Sequence, residues 1–111
     1  MTSEQLAAQL RSEIDAYEYP QVEGTVGTLW TTERVAEEIA LLRDSLLRPS
    51  RRTLHIHEQP DAVVWLVAAE RGVAVYFDER RGEFGLGRLE ADGSIQDWAV
   101  YGDLVGTFMA R

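Results

Sequence analysis

The sequence predicts an α+β fold in which two N-terminal helices pack on an antiparallel meander sheet of about five strands. Apolar residues recur at helical spacing up to about residue 47, and from residue 53 onward they alternate every second residue. The connections between the alternating segments are short, which suits hairpins and leaves no room for the crossover helices of a parallel sheet. A chain of 111 residues is expected to form a single domain.

Two amphipathic segments predict the helices. The first covers residues 4–17 with Ser3 as its cap, and the second covers residues 33–47 with Thr31 or Thr32 as its cap. The apolar stripe of the first helix consists of Leu6, Leu10, Ile14 and Tyr17. The break between the two helices contains Pro20, Gly24 and Gly27.

The strands are predicted over residues 53–58, 62–69, 73–77, 83–90 and 95–101. The first is amphipathic, which allows an edge position. The second is apolar on both faces, so we expect it to be central and covered on each side. Either the sheet curls on itself, or a second subunit or partner covers the face that the helices leave open. Residues 103–111 form either a short helix capped by Asp103 or a last edge strand.

Composition excludes several kinds of chemistry. The chain has no cysteine, which excludes disulfides, thiolate zinc sites and thiol catalysis. It also has no lysine, which excludes Schiff-base chemistry and a P-loop lysine. No serine lies in a glycine elbow, so an enzyme is not predicted. No cofactor is predicted either. No apolar run approaches the roughly 20 residues of a membrane span, and the N-terminus lacks a signal-peptide pattern, so a cytoplasmic protein is expected.

The net charge of −8 argues against a nucleic-acid partner, because phosphate backbones are polyanions. The basic residues that could oppose this are Arg43, Arg48, Arg51 and Arg52. We place Arg43 and Arg48 at the C-terminus of the second helix, ahead of Pro49, where cations offset the helix dipole. An acidic domain is better suited to a basic protein partner.

Both histidines lie in "TLHIHE". On a strand, His55 and His57 would share one face, which makes them weak candidates for metal ligands. Glu58 would point to the opposite face, and the chain has no third histidine. The sequence therefore predicts no metal site and two histidines on an outer strand.

Glycines and aromatic residues mark the last two strands. In "GEFGLG", Gly85 and Gly87 alternate with apolar residues, which favours a bulge or the close approach of an aromatic ring to the backbone. On the last strand, Trp98 and Val100 are predicted to share one face, and Ile95, Ala99 and Tyr101 the other.

Aromatic rings among acidic groups are typical of protein-binding surfaces. The candidate interaction residues are Tyr76, Asp78, Glu79, Trp98 and Tyr101. Trp65 is assigned to the core, and Trp30 is a further large ring. The alternative that these rings fill a thin core stays open.

The stretch "TLHIHE…AVVWLVAAERGVAVYFDERRGEFGLG", residues 53–87, resembles the Imm1 group of bacterial immunity proteins. It shares paired apolar strands, an "RGV" hairpin, a strand that ends in an aromatic residue and Asp, and a glycine-bearing next strand. The C-terminal "DLVGTFMAR" departs from the clearer helix of that group. The resemblance implies a small α+β protein that neutralises a cognate toxin by plugging its active site, without catalysis of its own.

Other functions fit the same composition. A secretion chaperone that binds a secreted effector is also small, acidic and α+β. A homodimeric domain of structural or regulatory role would bury an open sheet face in its interface. A metal-binding enzyme is the alternative from a different class.

Overall fold

A computed structural model describes residues 1–18 and 31–111 of the chain. The elements in chain order are α1 (Ser3–Ala16), α2 (Thr32–Ser45), β1 (Leu46–His55), β2 (Ala62–Glu70), β3 (Val73–Asp78), β4 (Glu83–Leu89), β5 (Ile95–Gly102) and α3 (Leu104–Met109). The predicted α+β class, with helices before a five-stranded antiparallel meander, is confirmed. The predicted break at Pro20, Gly24 and Gly27, and also Trp30, lie outside the described residues.

The sheet closes into a barrel with the strand order β1-β2-β3-β4-β5. Consecutive strands pair antiparallel, and β1 joins β5 in parallel through the pairs Leu54–Ile95 and His55–Gln96. The edge position allowed for the first strand is therefore wrong, because β1 is hydrogen-bonded to a neighbour on each side. Of the two ways to cover the apolar β2, the structure takes the curled sheet.

Two groups of buried side chains explain why β2 is apolar on both faces. The inner group comes from strands alone and consists of Leu54, Ala62, Val64, Leu66, Ala74, Tyr76 and Ile95. The outer group joins helix residues such as Leu6, Leu10 and Leu42 to the opposite strand face, which includes Trp65 and Val67. Trp65 lies in the core as predicted, with 7% of its surface exposed.

Both N-terminal helices begin at a capping threonine, and the cap of α1 lies one residue earlier than predicted. The cap of α1 is Thr2, which forms a capping box with Gln5, so the predicted cap Ser3 is instead the first helical residue. The Ser3 hydroxyl donates to the Pro49 carbonyl at 2.8 Å and ties α1 to β1. The cap of α2 is Thr31, one of the two predicted residues, and it accepts from the Arg34 amide at 3.1 Å.

The largest correction concerns the segment between α2 and β2. The second helix ends at Ser45, and β1 already begins at Leu46, within the stretch predicted to be helix. Proline lacks the amide that a ladder needs, and Pro49 lies where the β1–β2 register shifts between Leu46 and Ser50. The strand also ends earlier than predicted, at His55.

The basic cluster is accordingly spread over two elements. Arg43 lies in the last turn of α2, as predicted, and its guanidinium is 2.6 Å from Asp15 Oδ1. The expectation that Arg48 also offsets the helix dipole is wrong, because Arg48 lies in β1. Arg51 stacks over the Trp65 ring at 4.4 Å, and Arg52 donates to the Gly93 carbonyl at 3.1 Å.

The C-terminal stretch takes the helical alternative. Asp103 caps α3 and accepts from the Gly106 amide at 3.1 Å. Arg111 follows the helix, stacks on Phe108 at 3.9 Å, and forms ion pairs with Glu38 of α2 and Glu70 of β2. These contacts fix α3 across the outer face of the barrel. Within residues 1–18 and 31–111, none of the helices combines the length and hydropathy of a membrane span.

Candidate protein-binding site

Among residues 1–18 and 31–111, the most exposed aromatic side chains lie in the second half of β5. Trp98 is 44% exposed and Tyr101 is 36% exposed, whereas Ile95 at the start of the strand is 0% exposed. We call Trp98, Tyr101 and the neighbouring Arg81 the β5 surface. Large rings left in water in this way are typical of surfaces that bind other proteins.

An irregularity in the strand produces this exposure. The register between β4 and β5 moves from Gly87–Asp97 to Leu86–Val100, so one step on β4 faces three steps on β5. Trp98 and Ala99 are the extra residues of this bulge. Ala99 has φ 57°, a left-handed conformation that costs a residue with a Cβ roughly 1–2 kcal/mol. The bulge therefore turns Trp98 out of the alternation, and the prediction that Trp98 and Val100 share one strand face is wrong.

A hydrogen-bond network holds the base of the bulge. Asp97 accepts from the hydroxyl of Tyr76 at 2.6 Å and, through its other oxygen, from the hydroxyl of Tyr101. Tyr76 is 1% exposed and lies against Gly85, where a Cβ would come within 2.3 Å of the ring. The predicted close approach of an aromatic ring to the glycine backbone is confirmed at this position.

Both phenols stay protonated at neutral pH. Burial raises the pKa of Tyr76, and its hydrogen bond to Asp97 raises this pKa further. Burial also raises the pKa of Tyr101, followed in size by its hydrogen bond to the same carboxylate. Each hydroxyl can therefore donate permanently to Asp97. This arrangement supports a rigid strand, and it supplies neither a basic phenolate nor a carboxylate with both oxygens free.

Arg81 completes the β5 surface from the β3–β4 turn. Its guanidinium lies over the Tyr101 ring, 4.0 Å from the centroid, and its Nη2 is 3.5 Å from Glu83 Oε2. A cation over an aromatic face is attracted by the ring quadrupole. The Tyr101 ring is thus held by Asp97 at its hydroxyl and by Arg81 over its face.

Three of the five predicted interaction residues lie elsewhere. Tyr76 is buried and acts on the surface only through Asp97. Asp78 is 4% exposed and accepts from the backbone amide of Arg80 at 3.0 Å, as well as pairing with its guanidinium. Glu79 accepts from the Trp65 indole. The structure therefore brings Trp98 and Tyr101 together on one strand and gives Asp78 and Glu79 contacts within the turn and the core.

Sequence reasoning missed Asp97 and Arg81. In "IQDWAVYG" the aspartate looks like any polar residue of an alternating strand. The two bulge positions that follow it are Trp98 and Ala99, and neither is a glycine or asparagine that would indicate positive φ. Arg81 lies in a charged turn that resembles an ordinary solvated hairpin tip. Their roles depend on the cross-strand rows that join Tyr76, Gly85 and Tyr101, which only the folded register reveals.

The histidines are not arranged as a metal pair. His55 ends β1, and its Nδ1 is 3.0 Å from Asp61 Oδ1, a hydrogen bond that raises the pKa of His55. His57 lies beyond the strand, and its side chain is 89% exposed. The prediction that both share a strand face is wrong because the strand stops between them. In the described part of the chain, no group of three or more metal-ligating side chains could hold an ion.

No protein-family model, curated protein or solved structure matches this chain. The resemblance to the Imm1 immunity proteins therefore stays a prediction.

Proposed function

We propose that this chain is a non-catalytic protein-binding domain, that the β5 surface forms its main contact, and that it neutralises a basic partner such as a toxin. The single observation that carries this proposal is the half-exposed Trp98 on a strained bulge. Tryptophan is enriched among the residues that dominate binding energy at protein interfaces. Strain in a backbone is retained where the surrounding structure enforces it, often at binding sites.

The support around Trp98 fits a binding role. Asp97 precedes the ring directly, and both of its oxygens are held by tyrosine hydroxyls. A rigid strand loses little conformational entropy when a partner binds, so more of the contact energy appears as affinity. The Asp97 carboxylate and the hydroxyls of Tyr76 and Tyr101 satisfy one another, which favours recognition over catalysis.

Charge supports a basic partner. The net charge of −8 produces a negative field that accelerates encounter with a positively charged protein. A toxin that handles nucleic acid is such a protein, because its active site attracts phosphates. Carboxylates presented by an inhibitor would occupy the same positive region.

The test is a binding measurement with Trp98→Ala against the product of the neighbouring gene, chosen for toxicity when it is expressed alone. We expect affinity to fall by at least about thirtyfold, the loss typical of a hot-spot aromatic residue, and the unfolding temperature to change little. The matched control is Val63→Ala, because Val63 is also a large apolar residue that is 58% exposed, on β2. Isothermal titration calorimetry and growth rescue would report the two consequences.

Two results would contradict the proposal. Partner binding that is equally strong with Trp98→Ala would remove the β5 surface from the interface. A wild-type chain that light scattering shows to be a dimer, and that Trp98→Ala converts to a monomer, would assign the surface to a second copy of the chain.

A further inference from the structure

An apolar groove lies between α1 and the start of β1. It has a volume of about 400 Å³, within the range of roughly 300–1,000 Å³ that holds small ligands and side chains in proteins. Leu10, which is 1% exposed, and the half-buried Leu46 supply its buried surface, and Leu47 leaves 43% of its surface in water. The described residues that line the groove include none of the β5 surface, so it is a second candidate for contact with a partner.

Hydrogen bonds hold the two walls of the groove in place. Ser3 lines the groove, and its hydroxyl donates to the Pro49 carbonyl at 2.8 Å, which ties α1 to β1. The capping box of Thr2 and Gln5 fixes the first turn of the same helix. Both walls therefore exist before a ligand arrives, and little ordering entropy is lost when one binds.

The groove also carries two arginines that make no contact within the fold. Arg11 on α1 and Arg48 on β1 both line it, and neither guanidinium has a hydrogen bond, an ion pair or a ring contact within residues 1–18 and 31–111. Every other arginine has a partner, as Arg43 has Asp15 and Arg111 has two glutamates. The fold thus brings its two unpaired guanidiniums, each with five N–H donors, to the same groove.

Glu4 is the acidic side chain among the described residues that line the groove, and its position has a structural explanation. It lies in the first turn of α1, where a carboxylate offsets the helix dipole. Arg11 lies outside the last turn of α1 and Arg48 lies on β1, so the dipole accounts for neither arginine. Two guanidiniums and one carboxylate leave the groove cationic, whereas the whole chain has a net charge of −8.

We propose that this groove binds an acidic peptide segment of a partner. An apolar side chain of the segment packs against Leu46 and Leu47, and flanking carboxylates accept from the two arginines. Charge complementarity selects this occupant, because a locally cationic groove disfavours the basic segments that the rest of the chain attracts. Arginine can hold a carboxylate through two parallel N–H···O bonds, which orients the segment. The inference goes beyond the proposed function, because it gives the chain a second contact with the opposite charge preference.

A titration followed by NMR tests the groove without knowledge of the partner. The probe is the peptide N-acetyl-Glu-Leu-Leu-Glu-amide, added to the isotope-labelled full chain. In one matched peptide Gln replaces both Glu residues, and in the other Ser replaces both Leu residues. We expect saturable shifts of the backbone amides of Ala7, Arg11, Leu47 and Arg48 with the first peptide, and at least about fivefold weaker binding of each matched peptide. Absence of these shifts, or equal binding of either matched peptide, would overturn the proposal.

Two pairs of variants separate the groove from the general charge of the chain. Arg11→Gln with Arg48→Gln removes both cations of the groove. Arg71→Gln with Arg88→Gln removes two cations whose side chains are 91% and 63% exposed elsewhere, so both pairs make the chain more acidic to the same extent. We expect the first pair to weaken peptide binding by about tenfold or more, and the second to leave it within about twofold. Equal losses in both pairs would overturn the proposal.

Leu47→Ala tests the apolar contact. We expect it to weaken peptide binding by about fivefold, because part of the apolar area that the peptide would cover is removed. Val63→Ala truncates a side chain that is 58% exposed on β2 and should leave binding unchanged. Equal binding to Leu47→Ala and to the wild-type chain would overturn the apolar contact and with it the proposal.

Two further measurements distinguish other occupants. Trp98→Ala should leave peptide binding unchanged, and a loss of binding in this variant would place the peptide on the β5 surface and overturn the proposal. Light scattering without peptide should give the same mass for the wild-type chain and for the Arg11 and Arg48 pair of variants. A wild-type dimer that this pair converts to a monomer would assign the groove to a second copy of the chain instead.

Discussion

The two halves of β5 differ in what holds them. The first half, Ile95 and Gln96, pairs with β4 on one side and with β1 on the other. The second half, from Asp97 to Gly102, pairs with β4 alone in the described part of the chain. Ile95 is 0% exposed, and Trp98 is 44% exposed. Backbone pairing on both edges therefore holds the buried half, whereas backbone pairing on one edge and side-chain hydrogen bonds to Asp97 hold the exposed half. The exposed half is the one that we propose binds a partner.

The largest expected effect comes from the buried half. Ile95→Ala removes a side chain from the inner group of the barrel at the point where β1 and β5 meet. We expect the free energy of unfolding to fall by about 2–4 kcal/mol, the range for truncation of a buried isoleucine. Urea denaturation measures it. Val63→Ala on the exposed face of β2 is the control, with an expected change within about 0.5 kcal/mol. Similar losses in both variants would mean that the inner group contributes no more than the surface does.

The network at Asp97 gives the next largest effect. Tyr76→Phe keeps the ring over Gly85 and removes the hydroxyl that donates to Asp97 at 2.6 Å. We expect a loss of about 1–2 kcal/mol, because a partly buried carboxylate is left with one donor fewer. Tyr101→Phe removes the donor on the exposed side, where water can replace it, and we expect a change within about 0.5 kcal/mol.

Hydrogen exchange tests the difference between the two halves of β5. Amides of the second half of β5 should exchange faster in Tyr76→Phe, whereas amides at Ile95 and Gln96 should keep their protection. Uniform acceleration along the strand would show that Asp97 supports the whole sheet and not the exposed half alone.

Relief of the backbone strain at Ala99 should stabilise the protein, whereas the substitutions described above should destabilise it. Ala99→Gly allows the φ of 57° without a Cβ clash, which is favourable, but it also increases the freedom of the unfolded chain. We expect a net stabilisation of up to about 1 kcal/mol. Ala91→Gly, an exposed alanine outside the residues with positive φ, should instead destabilise by about 0.5–1 kcal/mol. A destabilised Ala99→Gly would contradict the assignment of strain to this residue, and thermal unfolding decides between the two.

The local pattern of apolar residues was sufficient to predict most of the helices and strands. The helical stripe of Leu6, Leu10 and Ile14 and the alternation after residue 53 both depend on neighbours in sequence, and both correspond to observed elements. The β1–β5 pair could not be predicted in the same way. It joins the first and last strands, so its partners Leu54 and Ile95 are separated by the whole sheet, and no short-range signal encodes their contact.

The candidate site was only partly predictable for the same reason. Trp98 and Tyr101 were found from composition, because large rings near acidic residues stand out in a short strand. Asp97 was not found, because its importance comes from two tyrosines, one on β3 and one four residues ahead on β5. Gly85 and Gly87 indicated a bulge at this point of the sheet, and the register does shift between Leu86 and Gly87. Its position on β5 was not predicted, since alanine is an unfavourable residue for positive φ.

The smallest expected effect is at His55, where the pairing between β1 and β5 ends. Its carbonyl accepts from the Gln96 side chain at 3.3 Å, and its ring is hydrogen-bonded to Asp61, which raises the pKa of His55 above its ordinary value of 6.5. The stability contributed by the protonated pair is therefore complete below pH 6.5 and is lost as the pH rises through the raised pKa of the folded state.

Asp61→Asn should return the midpoint of the His55 ring signal in an NMR titration toward 6.5. Because the ring is exposed, salt at about 1 M should also shrink the shift, and the free energy of unfolding should depend only weakly on pH in this range. A midpoint that changes with neither Asp61→Asn nor salt would mean that the pairing of β1 with β5, and not the exposed carboxylate of Asp61, sets the protonation of His55.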